Sequence, residues 1–282
     1  MARRAELVFA YITDLHVGYD DVSNEKTAAA MADLARLDID VLCIGGDLVD
    51  FQERHWVLCR ELVFERCRWP MIASRGNADF AAGGDEAWLR YVGQPARWAL
   101  SFGPVHFVAV GAMNDDHRMS VGEDAGEFIK RELKGQRDKL GIVLCHAPVK
   151  DTTFWSCANR DDMCLAKLLS PDNPPFYLFL AESAMMAATL RELPNARLFL
   201  TGHVHNDNRM KCDHGYGQVY EADGTIHIVS ANIGGWAAVG RERREYRVFE
   251  IFDDRIVMRT RDFLDGTWVE ELEQTFPLWP EK

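Results

Sequence analysis

The stretch LVFAYITDLH, residues 7–16, joins a continuous apolar run to a short polar group that begins at Thr13. The same order occurs in DVLCIGGDLVD (40–50) and in WPMIASRGNAD (69–79). Apolar runs of this length predict strands that are buried on both faces. Residues 24–37, with Ser23 or Asn24 as N-cap, and residues 54–67 have a helical period. This alternation predicts consecutive parallel strands covered by helices.

Further elements follow along the chain. We predict strands at 96–102, 105–111, 139–148 and 196–202, and helices at 122–135 and 181–194. Residues 149–180 are aromatic and proline-containing without periodicity, and they predict an insertion or lid. The strand-rich part 215–275 has hairpin turns at Asp223-Gly224, Asp253-Asp254 and Asp265-Gly266. Because no linker divides the chain, we expect a single domain over residues 1–282.

Composition excludes several classes of protein. The net charge of -12 argues against a general nucleic-acid binder, which needs cationic surface. The seven cysteines are scattered and form no CxxC pair, so we expect buried free thiols and a reducing compartment. We find neither a signal peptide nor an apolar stretch approaching the roughly 20 residues of a membrane span. A cytoplasmic protein that does not contact membrane is expected; the oligomeric state stays open.

Side chains that bind metals collect just after five predicted strands, where α/β sheets form their ligand crevices. They are Asp14 and His16, Asp47 and Asp50, Asn77 and Asp79, His146, and finally His203 and His205. Imidazole and carboxylate donors suit two divalent ions such as Mn, Fe, Zn, Co or Ni. Taken singly, each group has a structural alternative, such as a turn or a helix cap. Their coincidence at five strand ends favours a metal site.

The ordered set D-x-H, G-D-x-x-D, G-N-x-D, H and G-H-x-H resembles the calcineurin-like metallophosphoesterase superfamily over about residues 7–240. The resemblance implies an α/β fold, a four-layer αββα sandwich of two mixed β-sheets flanked by helices. The strand-rich C-terminal part would then supply much of the second sheet.

The resemblance also implies the ligands of a two-metal centre. The first ion would be held by Asp14, His16, Asp47 and His205, and the second by Asp47, Asn77, His146 and His203. Asp50 and Asp79 would orient ligands, with a helix cap or a surface ion pair as the alternative. Arg75 and Asn206 are candidate substrate-binding residues, with a turn role as the alternative for Asn206. Two such ions activate a water that attacks phosphorus in line.

One position departs from the family pattern. The third motif commonly reads G-N-H-D/E, with a histidine near the leaving group, but here that position is Ala78. The segment Arg75-Gly76-Asn77-Ala78-Asp79 is more similar to a branch with R-G-N-C-D. The departure leaves Asn77 in place and puts the proton-donating step in doubt. His117, in a polar loop after a strand, is our candidate substitute for the missing histidine, with a solvent-exposed loop histidine as the structural alternative. The candidate catalytic residues are therefore Asp47, Asn77 and His117.

Several functions remain in competition. We expect a small-molecule phosphate ester as substrate, with phosphodiesters slightly favoured because the motif has the R-G-N-x-D form. A phosphomonoesterase acting on a metabolite or phosphoprotein is the alternative. A catalytically silent scaffold is disfavoured because all seven expected ligands are present. A DNA nuclease is disfavoured by the acidic charge.

Overall fold

The computed structural model describes residues 4–150, 152, 178–205, 208–209, 211–212, 215–216, 218–235 and 244–279. Its strands, numbered in chain order, are β1 (Leu7–Ile12), β2 (Val41–Ile44), β3 (Met71–Ala73), β4 (Arg97–Phe102), β5 (Val105–Val110), β6 (Leu140–Cys145), β7 (Ala196–Thr201), β8 (Lys211–Cys212), β9 (Gly215–Tyr216), β10 (Val219–Ala222), β11 (Thr225–Val229), β12 (Glu245–Ile251), β13 (Arg255–Asp262), β14 (Thr267–Trp268) and β15 (Gln274–Pro277). Its α-helices are α1 (Asp21–Leu34), α2 (His55–Cys59), α3 (Asn77–Ala81), α4 (Gly84–Val92), α5 (Ala125–Lys134) and α6 (Ser183–Arg191). A π-helical segment, Arg60–Phe64, continues α2.

Two mixed sheets pack face to face between two layers of helices. The first sheet has the order β14-β13-β12-β1-β2-β3, with β15 also paired to β13, and the second has the order β10-β11-β7-β6-β5-β4. Helices α1, α2 and α4 cover the outer face of the first sheet, and α5 and α6 cover the second. The predicted αββα sandwich is confirmed, as is the parallel pairing of β1, β2 and β3.

Both faces of strand β1 are buried, which explains why apolar and polar residues do not alternate along it. Phe9 and Tyr11 enter the core between the sheets, whereas Ala10 and Ile12 pack against the helical layer. The ring of Phe9 meets Phe107 of the second sheet edge-on, at a centroid distance of 5.6 Å. Burying a phenylalanine contributes about 2–3 kcal/mol, so this contact helps hold the two sheets together.

The C-terminal strands correct one expectation. Strands β10 and β11 join the second sheet, but β12 to β15 extend the first sheet. In that extension Phe249 of β12 lies opposite Phe9, and their rings stack with centroids 4.7 Å apart. The three predicted hairpins do form, between β10 and β11, β12 and β13, and β13 and β14.

Two local expectations also change. Helix α1 begins at Asp21 because Asp20, and neither Ser23 nor Asn24, is its N-cap; the Asp20 carboxylate accepts a hydrogen bond from the Ser23 amide at 2.6 Å. Residue 151 and residues 153–177 lie outside the described residues, so the insertion or lid stays a prediction, as does the single domain.

Two further observations bear on the environment of the chain. The four cysteines whose side chains are described, namely Cys43, Cys59, Cys67 and Cys145, are free thiols, and all but Cys67 are buried. Among the described helices, none has both the length and the apolarity needed to cross a membrane.

Candidate metal centre

The seven predicted ligand residues lie at the carboxyl ends of five strands, where the edges of the two sheets meet. Asp14 and His16 follow β1, Asp47 follows β2, Asn77 opens α3 after β3, His146 follows β6, and His203 and His205 follow β7. Every one of these residues is at least 93% buried. The structure therefore brings together the full set that the sequence places at separate strand ends.

Five of the seven have left-handed backbones, which non-glycine residues seldom adopt. The φ angles are 53° for Asp14, 42° for His16, 49° for Asp47, 71° for His203 and 48° for His205. Each such residue costs roughly 1–3 kcal/mol and persists only when its surroundings enforce it. Here the enforcement includes backbone hydrogen bonds between loops, from the Asp14 amide to Gly46 and from the His16 amide to Asp47. Strain of this kind concentrates at functional sites.

Two glycines are needed because the loops approach the carboxylates closely. A Cβ on Gly202 would lie 2.1 Å from Thr13 Oγ1 and 2.2 Å from Asp14 Oδ2. A Cβ on Gly76 would lie 2.0 Å from Asp47 Oδ1. Both distances are far below van der Waals contact, so a larger side chain would push the carboxylates out of place.

The donor atoms form two adjacent clusters, Asp14 with His16 and His205, and Asp47 with His146 and His203. In the first cluster His205 Nε2 lies 3.2 Å from Asp14 Oδ1 and 3.1 Å from His16 Nε2. In the second, His146 Nε2 lies 3.1 Å from Asp47 Oδ2. Within each cluster the donor atoms lie within 4.8 Å of one another, a spacing at which a single cation can contact several of them.

Two buried polar atoms support this interpretation. Asn77 Oδ1 is inaccessible to solvent and has no hydrogen-bond partner among the described residues, and His146 Nε2 is equally buried with the Asp47 carboxylate at 3.1 Å as its close polar neighbour. A buried polar atom without a partner costs about 1–3 kcal/mol, so such atoms need an explanation. Both belong to the predicted ligands of the second ion, and a cation among these donors would satisfy them. The residues therefore fit a metal centre.

Three of the predicted ligand histidines, His16, His146 and His203, have one ring nitrogen hydrogen-bonded to an acceptor. The other ring nitrogen is left to face a cation. His16 Nδ1 lies 3.1 Å from Asp50 Oδ1, and His146 Nδ1 lies 2.8 Å from the carbonyl of Gly45. For both residues the free nitrogen is Nε2, the atom that faces the carboxylates. Asp50 therefore lies where an orienting group is predicted.

His203 has the opposite arrangement. Its Nε2 donates to the backbone carbonyl of His117 at 2.8 Å, so Nδ1 is the nitrogen left free. The ring of His117 lies with its centroid 6.5 Å from that of His203, and the residue is solvent-exposed. The predicted catalytic candidate thus lies beside the centre, and its main chain also contacts a predicted ligand.

The charges of these groups depend on one another. Burial opposes ionisation of Asp14, but His146 and His205 outweigh it and lower the pKa of Asp14 to about 2. Burial also opposes a charge on His146, yet Asp47 and Asp14 raise its pKa to about 10. Burial, and then the neighbouring His146, lower the pKa of His203 to about 4. Without a cation the carboxylates therefore hold a proton on His146, which a bound metal would displace.

Asp79 fixes the backbone around Asp47. Its Oδ1 accepts hydrogen bonds from the amides of Leu48 at 2.8 Å and Val49 at 3.1 Å, and its Oδ2 accepts from Gly76 at 2.9 Å. Burial, and then the Asp47 carboxylate, raise the pKa of Asp79 to about 7. Because Gly76 is the N-cap of α3, the helix-capping alternative is observed for Asp79, and its bonds to the backbone beside Asp47 are compatible with the predicted orienting role.

The structure does not place the two predicted substrate-binding residues, Arg75 and Asn206, among the donor residues of the centre. Arg75 is fully buried, and its guanidinium donates to the Ala112 carbonyl at 2.6 Å and to Asp85 at 2.5 Å. It also stacks over the Phe80 ring. These contacts give Arg75 a structural role, and direct substrate binding by this residue stays a prediction. Asn206 lies outside the described residues.

Two neighbours of the centre were not predicted. The Thr13 hydroxyl donates to Asp14 Oδ2 at 2.7 Å, and the Asn232 amide nitrogen lies 3.4 Å from His205 Nδ1. Thr13 stands within the polar group that follows β1, and Asn232 stands just after β11. A polar residue at a strand end was therefore the available signal for both.

Comparison with known proteins assigns the family. The family model described as calcineurin-like phosphoesterase matches residues 7–207, which include all seven donor residues.

The chain belongs to this family.

Several solved structures resemble this phosphoesterase in fold. A dimetal phosphatase from Danio rerio aligns with a TM-score of 0.62 and 13% identity, covering 98% of this chain and 99% of that one. Purple acid phosphatase PPD1 from yellow lupin (Lupinus luteus) seeds gives 0.63 and 16%, covering 98% and 54%. GAP50, the anchor in the inner membrane complex of Plasmodium, gives 0.59 and 13%, covering 99% and 90%. A search of curated proteins found no significant match to this phosphoesterase.

Proposed function

We propose that this phosphoesterase is a two-metal hydrolase of small-molecule phosphate esters. Its proposed ligands are Asp14, His16, Asp47 and His205 for one ion, and Asp47, Asn77, His146 and His203 for the other. The position of Asp47 Oδ2 carries the proposal, because this atom lies 3.4 Å from His16 Nε2 and 3.1 Å from His146 Nε2. A single carboxylate thus faces both donor clusters, as a bridging ligand must.

The chain's own contribution is to hold the carboxylates rigidly in a buried site. Asp47 Oδ1 accepts from the Ala78 amide at 2.9 Å, which leaves Oδ2 directed to the clusters. Asp14 accepts from the Thr13 hydroxyl and the His203 amide. Two divalent ions bound there would supply an activated water and offset negative charge on the phosphate oxygens. Mn, Fe, Zn, Co or Ni suits these donors.

This chain departs from its family at the position of the residue that donates a proton to the leaving group. Ala78 is fully buried, and its methyl side chain has no proton to donate to a leaving group. We assign this role to the imidazole of His117, which is exposed beside His203. A positioned general acid contributes roughly 10²–10⁴ in rate.

Phosphodiesters are our preferred substrate class, on the strength of the R-G-N-x-D form of the third motif. Two solved structures of similar fold are named phosphatases, which keeps phosphomonoesters as the competing class. The free thiols of Cys43, Cys59 and Cys145 suit the cytoplasm, which we propose as the location.

Hydrolysis of bis-p-nitrophenyl phosphate, measured beside p-nitrophenyl phosphate, tests this function. The protein is stripped with a chelator and assayed with and without Mn²⁺. We expect Mn²⁺-dependent cleavage with the diester preferred, and a loss of at least about 10-fold in Asp47→Asn, because removal of even a group that orients a metal ligand typically costs about 10–100-fold.

The matched control is Asp38→Asn, which alters an exposed carboxylate that precedes β2, at the opposite end of that strand from Asp47, and should retain activity. Folded protein that cleaves neither ester with any of the candidate ions would refute the hydrolase and favour a scaffold. A preference for the monoester would overturn only the substrate class.

A further inference from the structure

We propose that Glu182 and Asn114 are positioning residues for the second ion. They hold the loop 113–121 in the conformation in which the backbone carbonyl of His117 fixes the ring of His203. The inference rests on the proposed two-metal function, because His203 is a proposed ligand of that ion.

The contact between His203 and His117 involves the main chain. His203 Nε2 donates to the His117 carbonyl at 2.8 Å, and this bond sets both the ring rotation and the nitrogen that stays free. Because the acceptor is a backbone atom, the identity of the side chain at position 117 does not create it. The conformation of the loop does.

Packing leaves the centre of this loop unsupported. The side chains of residues 115–118 are all solvent-exposed, whereas Met119 and Val121 beyond them are buried. An exposed loop centre of this kind depends on hydrogen bonds for its shape.

Asn114 supplies the bonds that close the loop around His117. Its Oδ1 accepts from the Ser120 amide at 2.9 Å, and its Nδ2 donates to the Arg118 carbonyl at 3.3 Å. The Met113 amide also donates to the Ser120 carbonyl at 2.7 Å. The side chain of Asn114 thus links the two sides of the turn that presents the His117 carbonyl.

Glu182 anchors the closed loop to the start of α6. One carboxylate oxygen accepts from the Ser120 hydroxyl at 2.5 Å, and the other accepts from the Val121 amide at 3.1 Å. Next to it, the Ala181 amide donates to the Met119 carbonyl at 2.8 Å. A carboxylate with two bonds to one loop is a strong restraint, because charge-assisted hydrogen bonds exceed neutral ones in strength.

Removing the anchor should therefore weaken one ion site and spare the other. Groups that orient a metal-ligating histidine typically change metal affinity by about 10–100-fold. We expect Glu182→Ala to weaken binding of the second Mn²⁺ at least about 10-fold, with the first Mn²⁺ unchanged. Glu182→Gln should bind like the parent, since its amide can donate to the Ser120 hydroxyl while its oxygen accepts from Val121.

The experiment is a calorimetric titration of chelator-stripped, full-length protein with Mn²⁺. Asn114→Ala is the independent variant and should reproduce the selective loss if Glu182→Ala fails to fold. His117→Ala removes the imidazole but keeps the carbonyl, so both ions should bind normally. Glu123→Ala, an exposed glutamate next to the same loop, is the matched control.

Three outcomes decide between the possibilities. Selective weakening of the second ion in Glu182→Ala and Asn114→Ala, with recovery in Glu182→Gln, supports the inference. The inference is overturned if the parent binds two ions and the variants either bind both ions like the parent or lose both ions equally. A parent that binds a single ion at saturation overturns the two-metal function and this inference with it.

Discussion

At the residue scale, His117 contributes two groups with separable consequences. Its carbonyl accepts from His203, and its exposed imidazole is the proposed proton donor. Only the imidazole is removed by substitution to alanine, so the catalytic role can be tested without altering the main-chain contact.

We predict that His117→Ala loses activity in proportion to the difficulty of the leaving group. With p-nitrophenol as leaving group the rate should change little, because this alcohol departs without a proton. With phenol or an alkyl alcohol the rate should fall about 10²–10³-fold. The measurement is the slope of log kcat against leaving-group pKa, with Arg118→Ala as a control for disturbance of the loop. An equal loss for every leaving group would contradict the assignment.

The residues of the centre were predictable because each follows an apolar strand in a fixed order. The sequence does not show the direction in which each side chain points. Arg75 lies two residues from Asn77 and looks suited to phosphate, yet its guanidinium turns towards Ala112 and Asp85. Glu182 is distant from every motif and acts through a loop some sixty residues earlier. Contacts of this kind depend on three-dimensional packing that no local pattern encodes.

At the scale of elements, short helices and the choice of sheet escaped prediction. Helix α3 has five residues, and only Ala82 and Gly83 separate it from α4, which itself begins at a glycine, Gly84, so no helical period develops across the pair. The sequences of strands β12 to β15 do not show which sheet these strands join. The long-range pairing of β12 with β1 assigns them to the first sheet. The strands of the parallel core were predictable because burial on both faces leaves a continuous apolar run.

Strand β11 carries a histidine that should make stability depend on pH. His227 is 4% exposed and packs against Phe199, with ring centroids 5.4 Å apart. Burial lowers the pKa of His227 to about 4, whereas an unfolded histidine titrates near 6.5. Between these values the unfolded chain binds the proton more readily, so the free energy of unfolding falls as the pH drops from about 6.5 towards 4.

We predict that this histidine accounts for up to about 3 kcal/mol of the difference in unfolding free energy between pH 7 and pH 4. His227→Leu should reduce that difference in urea titrations of the metal-free protein. Phe199→Leu, which alters the same contact without a titratable group, should preserve the parent's difference. An unchanged pH dependence in His227→Leu would contradict the prediction.

At the scale of the molecule, the centre joins the two sheets. The first sheet supplies Asp14, His16, Asp47 and Asn77, and the second supplies His146, His203 and His205. Because Asp47 faces the histidines of both sheets, a bound cation would cross-link them at this edge. The unfolded chain has no such arrangement of donors, so binding should stabilise the folded state.

We predict that Mn²⁺ at about 100 times its dissociation constant stabilises the stripped protein by about 2.7 kcal/mol. For a chain of 282 residues that corresponds to a rise in Tm of about 5 °C. Differential scanning calorimetry with and without Mn²⁺ measures the rise, and Asp47→Asn should show a smaller one. An identical Tm for the parent at saturating Mn²⁺ would argue against a cross-link between the sheets.

The division of donors between the sheets has a consequence for biosynthesis. The oxygen donors, from Asp14 to Asn77, all precede His146 along the chain, so the ribosome releases them well before the last two histidines. A growing chain of one hundred residues offers one imidazole and three oxygen donors, a set that hard ions such as Mg²⁺ can occupy loosely. The nitrogen-rich set that favours transition metals exists only after residue 205 has emerged. In the proposed two-metal centre, selection of a transition metal would therefore follow the synthesis of residue 205.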